Sequence, residues 1–230
     1  MKYMGSKRRY AKHILPIILK DRQEGQYYVE PFCGGCNMID KVVGPRIASD
    51  NHRYLIALIK ALQSGWSPPK LITENLFNDI KNNPNSYSDE LVGYVGSQMT
   101  FGSVWFSTIR RDRTGKRDMS MESYRNVIRQ REDLKGIDVR LSDYRSLEIP
   151  GGSIIYCDPP YNGVTGYGEP FNSEEFYQWC RDMSVKGHSV FISEYSAPPD
   201  FKEIWSMKVT QLLGNTSKVV NHRVEKLFTV

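Results

Sequence analysis

The sequence predicts an α/β protein: a parallel sheet with helices on both faces, interrupted by an inserted, mostly helical subdomain. Three observations carry this. The first third alternates short apolar runs with amphipathic stretches, the strand–helix–strand–helix order of a covered parallel sheet. That rhythm is lost between residues 64 and 135 and returns after Gly136. Residues 1–63 and 136–230 are therefore assigned to one sheet-forming domain, and 64–135 to the insertion.

Element by element, residues 7–20 carry Ile14, Leu15, Ile18 and Leu19 at helical spacing, with Pro16 as a blemish. Residues 27–30 read as a short strand, 31–37 as a glycine-rich tight turn, and 37–43 as a short helix broken by Gly44 and Pro45. Residues 46–49 form a second strand ending at Asp50, and Asn51 caps a helix running through Tyr54, Leu55, Leu58, Ile59 and Leu62. Residues 64–69, with one glycine and two prolines, break the pattern. Beyond them come turns rich in Asn and Ser (82–88), an apolar aromatic patch (Phe101, Val104, Trp105, Phe106) and a basic stretch whose residues 113–116 suit the tip of a loop or hairpin. Residues 139–142 read as a strand ending at Asp143, and 153–157 as a buried strand ending at Asp158. Asn172 and Glu175 form a capping-box pattern for a helix to about Val185. Residues 189–193 are a further strand, and the alternating runs 208–213 and 225–230 suit a final antiparallel pair.

At 230 residues and 40% hydrophobic content, the chain can bury a real core. No apolar run approaches a membrane span, and the first residues lack a signal-peptide stretch, so a cytoplasmic protein is expected, a monomer or weak dimer. The formal charge is +5, and it is local. Residues 107–131 hold eight Lys/Arg against three Asp/Glu; the rest balances, 23 against 23. One basic segment in a neutral protein suggests a polyanion contact through Arg110, Arg111, Arg113, Lys116 and Arg117, against a solvated helix face as the plain alternative. Cys33 and Cys36 have C-x-x-C spacing, so a thiol redox role is weighed. No second close pair and no paired histidines complete a zinc site, and no metal is expected.

Asp158-Pro159-Pro160-Tyr161 is the most informative stretch. Two prolines fix their φ angles and remove two donors, leaving the Asp158 carboxylate and the Pro159 carbonyl as acceptors beside the Tyr161 ring. Such a pocket suits a planar amine, above all the exocyclic amino group of a nucleobase taken out of a duplex. Acceptors on both N–H bonds favour the pyramidal, nucleophilic amine as charge develops. Glu30 and Asp50 end consecutive strands at the edge where open α/β sheets bind ligands, and Asp50 can accept both hydroxyls of a ribose or simply cap a helix. The turn after Glu30 is not G-x-G-x-x-G and no Walker lysine follows, so a nucleoside without a polyphosphate fits best. Asp143 can accept from an adenine amino group of that nucleoside, or serve as a turn residue.

These blocks together resemble the adenine-N6 DNA methyltransferases of the Dam (D12 class) family, which use S-adenosylmethionine. Tyr3-Met4-Gly5-Ser6-Lys7 resembles the family's N-terminal cofactor block, residues 30–36 its E-P-F-x-G-x-G turn, Ser49-Asp50-Asn51 its A-D-x-N strand end, and residues 156–161 its catalytic block. Ile192-Ser193-Glu194 stands where the family has I-S-N. The resemblance implies a Rossmann-like S-adenosylmethionine-dependent methyltransferase sheet, a catalytic and cofactor-binding domain, and an inserted target-recognition subdomain that binds double-stranded DNA. It implies that Tyr3, Lys7, Asp50 and Asp158 bind cofactor with Phe32 and Gly34 in the cradle, and that Asp158, Pro159 and Tyr161 hold the flipped adenine. Two departures stand out. Cys36 replaces the second glycine, and the phrase F-N-V-P-F-G is absent from the middle, so a GATC specificity does not carry over.

Replacing Asp158 with Ala is expected to abolish transfer and leave the fold intact. Adenine in RNA, or cytosine N4, is the near rival as acceptor; a protein-glutamine methyltransferase would more typically show Asn at 158. A DNA-binding protein without activity, and the thiol redox module, are the rivals from other classes. The sequence does not choose between restriction–modification and other biological roles.

Overall fold

The computed structural model describes residues 1–112, 114–160, 171–212 and 220–230. Among them seven strands form one sheet: β1 (Tyr28–Glu30), β2 (Arg46–Asp50), β3 (Asp138–Leu141), β4 (Ile154–Cys157), β5 (Ser189–Glu194), β6 (Lys202–Leu212) and β7 (Val220–Thr229). Their order is β3-β2-β1-β4-β5-β7-β6. The first five are parallel, whereas β7 runs antiparallel to both neighbours, so the final antiparallel pair is present as the alternation suggested. The chain leaves β1 toward β2 and β3, then returns to lay β4 on β1's other side. This reversal opens a crevice above the carboxyl ends of β1 and β4, where sheets of this kind take their ligands.

Side chains alternate across the strands and build two cores. Val29, Ile47, Ile155, Val190 and Ile192 face one layer, with Phe176, Trp179 and Cys180 of α6 (Ser173–Val185). Tyr28, Ala48, Ile154 and Tyr156 face the other, with residues of α1 (Ala11–Ile18), α2 (Arg53–Gln63), α4 (Asp89–Gln98) and α5 (Met119–Leu134). Strands buried on both faces read as continuous apolar runs, which is why 153–157 shows no polar alternation.

The middle stretch is helical, as its lost rhythm suggested: α3 (Glu74–Asn82), α4 and α5. It is built onto the same core as the sheet, because Phe77, Ile80, Val92, Val95, Val127 and Leu134 join Leu58 and Leu62 of α2. Gly93 makes this possible. A Cβ there would lie 2.1 Å from the Tyr54 carbonyl oxygen, so α4 can rest on α2 only with no side chain at that point.

Several local expectations shift. Residues 37–43 form only a 3₁₀ turn, Ile39–Lys41, because Val42 is already extended (ψ 137°) ahead of Gly44 and Pro45. The first helix is a 3₁₀ turn, Lys7–Arg9, followed by α1. His52 rather than Asn51 caps α2: its Nδ1 accepts from Leu55 N at 3.2 Å. The third strand stops at Leu141, and Asp143 caps the 3₁₀ turn Tyr144–Ser146. Asn172 caps α6 as expected, accepting from Glu175 N at 3.2 Å. Among the described residues no helix is long and apolar enough to cross a membrane.

Candidate active site at the carboxyl edge of the sheet

The turn after β1 is held from two sides. Gly34 N donates to Asp50 Oδ2 at 3.0 Å, and Cys33 N to Ser49 O at 2.8 Å, tying the turn to the end of β2. Asp50 Oδ1 accepts from His52 N at 3.0 Å. Burial raises the Asp50 pKa, and these N–H groups work against that rise. Gly34 has φ +47°, and a Cβ there would stand 2.5 Å from the Tyr3 ring. The N-terminal block thus lies directly against the turn. Cys36, at the second glycine of the E-P-F-x-G-x-G pattern, is fully buried with φ +54°. A left-handed backbone costs a non-glycine residue roughly 1–2 kcal/mol, so strain is stored at this departure.

Beside the turn, Asp158 follows β4. Lys7, 3% exposed, donates from Nζ to Asp158 Oδ1 at 2.8 Å and lies 3.9 Å from Glu225 Oε2. Burial opposes the Lys7 charge, but Asp158 and then Glu225 outweigh it and the ammonium pKa is raised. The ion pair links the N-terminal block to the D-P-P strand end across 151 positions. Pro159 is buried and Pro160 exposed. Tyr161 lies outside the described residues.

The other expected residues scatter. Glu30 sits beneath the turn, 3% exposed, and accepts from the Tyr28 hydroxyl at 2.9 Å; burial pushes its carboxyl well above the usual range. Phe32 joins an aromatic cluster, its ring 5.1 Å from Tyr144 and 5.6 Å from Phe176. Asp143 caps Arg145 N and takes the Arg145 guanidinium, whose hydrogen bonds hold its carboxyl below the usual range. The turn-residue alternative therefore describes Asp143 here.

The basic residues divide as well. Arg110 turns inward, 10% exposed, donating to Ser123 Oγ and Glu122 Oε1, both at 2.8 Å. It builds the scaffold, contrary to its expected place on a DNA-facing patch. Arg111 and Arg117 are exposed and paired with Glu74 and Glu122. Lys116 is exposed. The Asp112 carboxylate accepts from the backbone N–H groups of Thr114, Lys116 and Arg117, closing a compact loop. Arg113 lies outside the described residues. Glu122 also accepts from Lys2, then Arg110 and Arg117, and these hold its pKa down at about 2.

Three residues escaped the sequence reading. Gln98 clamps Lys2, accepting from its N at 3.0 Å and donating to its O at 2.9 Å. Gln130 donates to Gly35 O, Cys36 O and Asp40 Oδ2. Neither leaves a local pattern, since each acts across about ninety positions or more. Glu194, noted only as a departure, is half-buried at the end of β5; burial first, then Asp158 and Glu225, raise its pKa to about 7 against the Tyr195 N–H and Lys7.

All four cysteines are buried free thiols. A hydrogen bond to Cys36, then burial, pushes Cys33 well above the usual thiol range, the opposite of what a redox nucleophile needs. Among the described residues no cluster of His, Cys, Asp or Glu could hold a metal.

The edge thus joins a glycine turn, held by the Asp50 carboxylate, to a strand end rich in acceptors. A family model described as D12 class N6 adenine-specific DNA methyltransferase matches residues 3–129, more than half of the chain. The match includes Tyr3, Lys7, the glycine turn, Asp50 and most of the basic window, and ends before β3.

Proposed function

The chain belongs to the D12 class N6 adenine-specific DNA methyltransferases, and from that premise we propose that it moves a methyl group from S-adenosylmethionine to N6 of an adenine flipped out of double-stranded DNA, at a specific sequence. The observation that carries this is the Lys7–Asp158 pair at 2.8 Å, which sets an acceptor-rich strand end beside the glycine cradle at the sheet's crevice.

The residues fit the donor. Gly34 and Gly35 let Tyr3 close directly on the turn, Asp50 keeps lone pairs for ribose hydroxyls, and Phe32 offers an apolar ring nearby. Tyr3 supports the cradle and Lys7 orients Asp158. Glu30 serves from below and Asp143 drops out of the donor set. When bound, the donor supplies a methyl carbon already activated by a sulfonium. The Asp158 carboxylate and the Pro159 carbonyl accept the two N–H groups of the adenine amine, and Tyr161 stacks on the base. Catalysis is then chiefly alignment of amine, methyl and leaving sulfur. Residues 64–135 supply target recognition, with Arg111, Lys116, Arg117 and Arg113 on the DNA.

Titration calorimetry with S-adenosylmethionine, followed by sequencing of modified bases in duplexes incubated with the protein, tests this. Donor binding and N6-methyladenine in a defined sequence are expected. Unmarked adenine together with no donor affinity would leave a DNA-binding protein without activity; marks on cytosine N4 or on RNA alone would move the acceptor.

A further inference from the structure

Gln130 reaches from α5 into the underside of the glycine turn and is 3% exposed. Its Nε2 lies 3.0 Å from Gly35 O, 3.2 Å from Cys36 O and 2.8 Å from Asp40 Oδ2. Three acceptors around one atom identify it as the amide NH₂. The carbonyls belong to the two residues where the turn is most constrained: Gly35, pressed against Tyr3, and Cys36, held at positive φ. A left-handed cysteine persists only where its surroundings over-determine it. Gln130 is the side chain that grips both of its flanking carbonyl positions from inside the protein.

We propose that Gln130 is a positioning residue for the donor: it holds the glycine turn in its donor-accepting shape, so that donor affinity depends on a helix of the DNA-recognition stretch. The inference rests on the reading that this turn cradles S-adenosylmethionine. The same helix carries Glu122, which gathers Lys2, Arg110 and Arg117 about 12 Å away along the axis. One rigid element therefore touches both the cradle and the basic loop.

A purely structural staple predicts something different, and the molecule contains the control. Gln63 of α2 makes the same kind of clamp away from the crevice, donating to Leu134 O and Ile137 O, both at 2.8 Å. The experiment compares Gln130→Met, Gln130→Glu and Gln63→Met in the full chain by calorimetric titration with S-adenosylmethionine, duplex binding and thermal melting. Methionine keeps the length and removes both the donor and the Oε1 acceptor of the Met1 amino terminus; glutamate keeps that acceptor and sets a carboxylate against the three acceptors. Gln130→Met should weaken donor binding roughly tenfold, about the worth of one lost hydrogen bond, and Gln130→Glu further. Duplex affinity should stay within about twofold for both. Gln63→Met should lower the melting temperature comparably and leave donor affinity unchanged. Unaltered donor affinity in Gln130→Met, or an equal loss in Gln63→Met, overturns the inference alone. Absence of donor binding by the unmodified protein overturns the reading of the turn and this inference with it.

Discussion

The glycine turn and the basic loop are held at different depths. The turn is held by buried bonds from side chains to backbone: Asp50 to Gly34, Gln130 to Gly35 and Cys36. The loop between Arg110 and Asp118 is held at the surface, by the Asp112 carboxylate on the N–H groups of Thr114, Lys116 and Arg117 and by exposed ion pairs, Arg111 with Glu74 and Arg117 with Glu122, whose arginines are 60% and 61% exposed. Exposed pairs contribute about 0–1 kcal/mol and exchange partners readily. Buried backbone bonds do not, because an orphaned buried carbonyl costs about 1–3 kcal/mol. One region is fixed by its buried bonds; the other can exchange its surface ion partners.

Asp158 gives the largest expected effect. Asp158→Ala should abolish measurable transfer, a loss of roughly a thousandfold or more. Contrary to the sequence-based expectation, it should not leave stability untouched. Lys7 would remain buried without the carboxylate that lies 2.8 Å from its ammonium, costing roughly 3 kcal/mol. Asp158→Asn should lose transfer and keep more of the stability, as chemical denaturation would show. Gly34→Ala comes next. A Cβ 2.5 Å from the Tyr3 ring at φ +47° should weaken donor binding by about tenfold or more while duplex affinity holds. An unaffected donor titration would mean the turn adapts, and the contrast would collapse. Replacing Arg111, Lys116 and Arg117 together with Ala should reduce the slope of log affinity for duplex against log salt by up to about 2–3, at unchanged donor affinity. Arg110→Ala should lower stability and leave that slope alone. Glu194 gives the smallest effect. Its folded pKa of about 7 lies above the usual 4.5, so its stabilising contribution is complete below pH 4.5 and is lost as pH rises to about 7. The melting temperature should therefore fall over that window relative to Glu194→Gln, with the two parallel above it.

The parallel strands were legible as short apolar runs bounded by glycine, proline or a carboxylate, as in residues 153–158, whereas the alternating reading of 208–213 and 225–230 caught only part of β6 and β7. The paired blocks at 3–7, 30–36 and 156–161 were legible because their residue types are scarce in combination. Side-chain orientation was not. Arg110 and Arg111 are adjacent and identical, yet one faces Ser123 and Glu122 and the other solvent, a distinction set by the packing of α5. Asp143 and Asp50 both follow strands, but Arg145 two residues on captures the first. Gln98 and Gln130 are ordinary glutamines in helices; only folding brings them to Lys2 and the turn.

The shared core under α4 and α5 bears on how new specificities could be installed. A chimera that exchanged all of residues 64–135 for another segment would remove Gln98, Gln130 and the Gly93 contact together, loosening the glycine turn along with the exchanged stretch. Transplanting only the span between the end of α4 and the start of α5, residues 99–118, would keep all three attachments and confine the change to the surface loop.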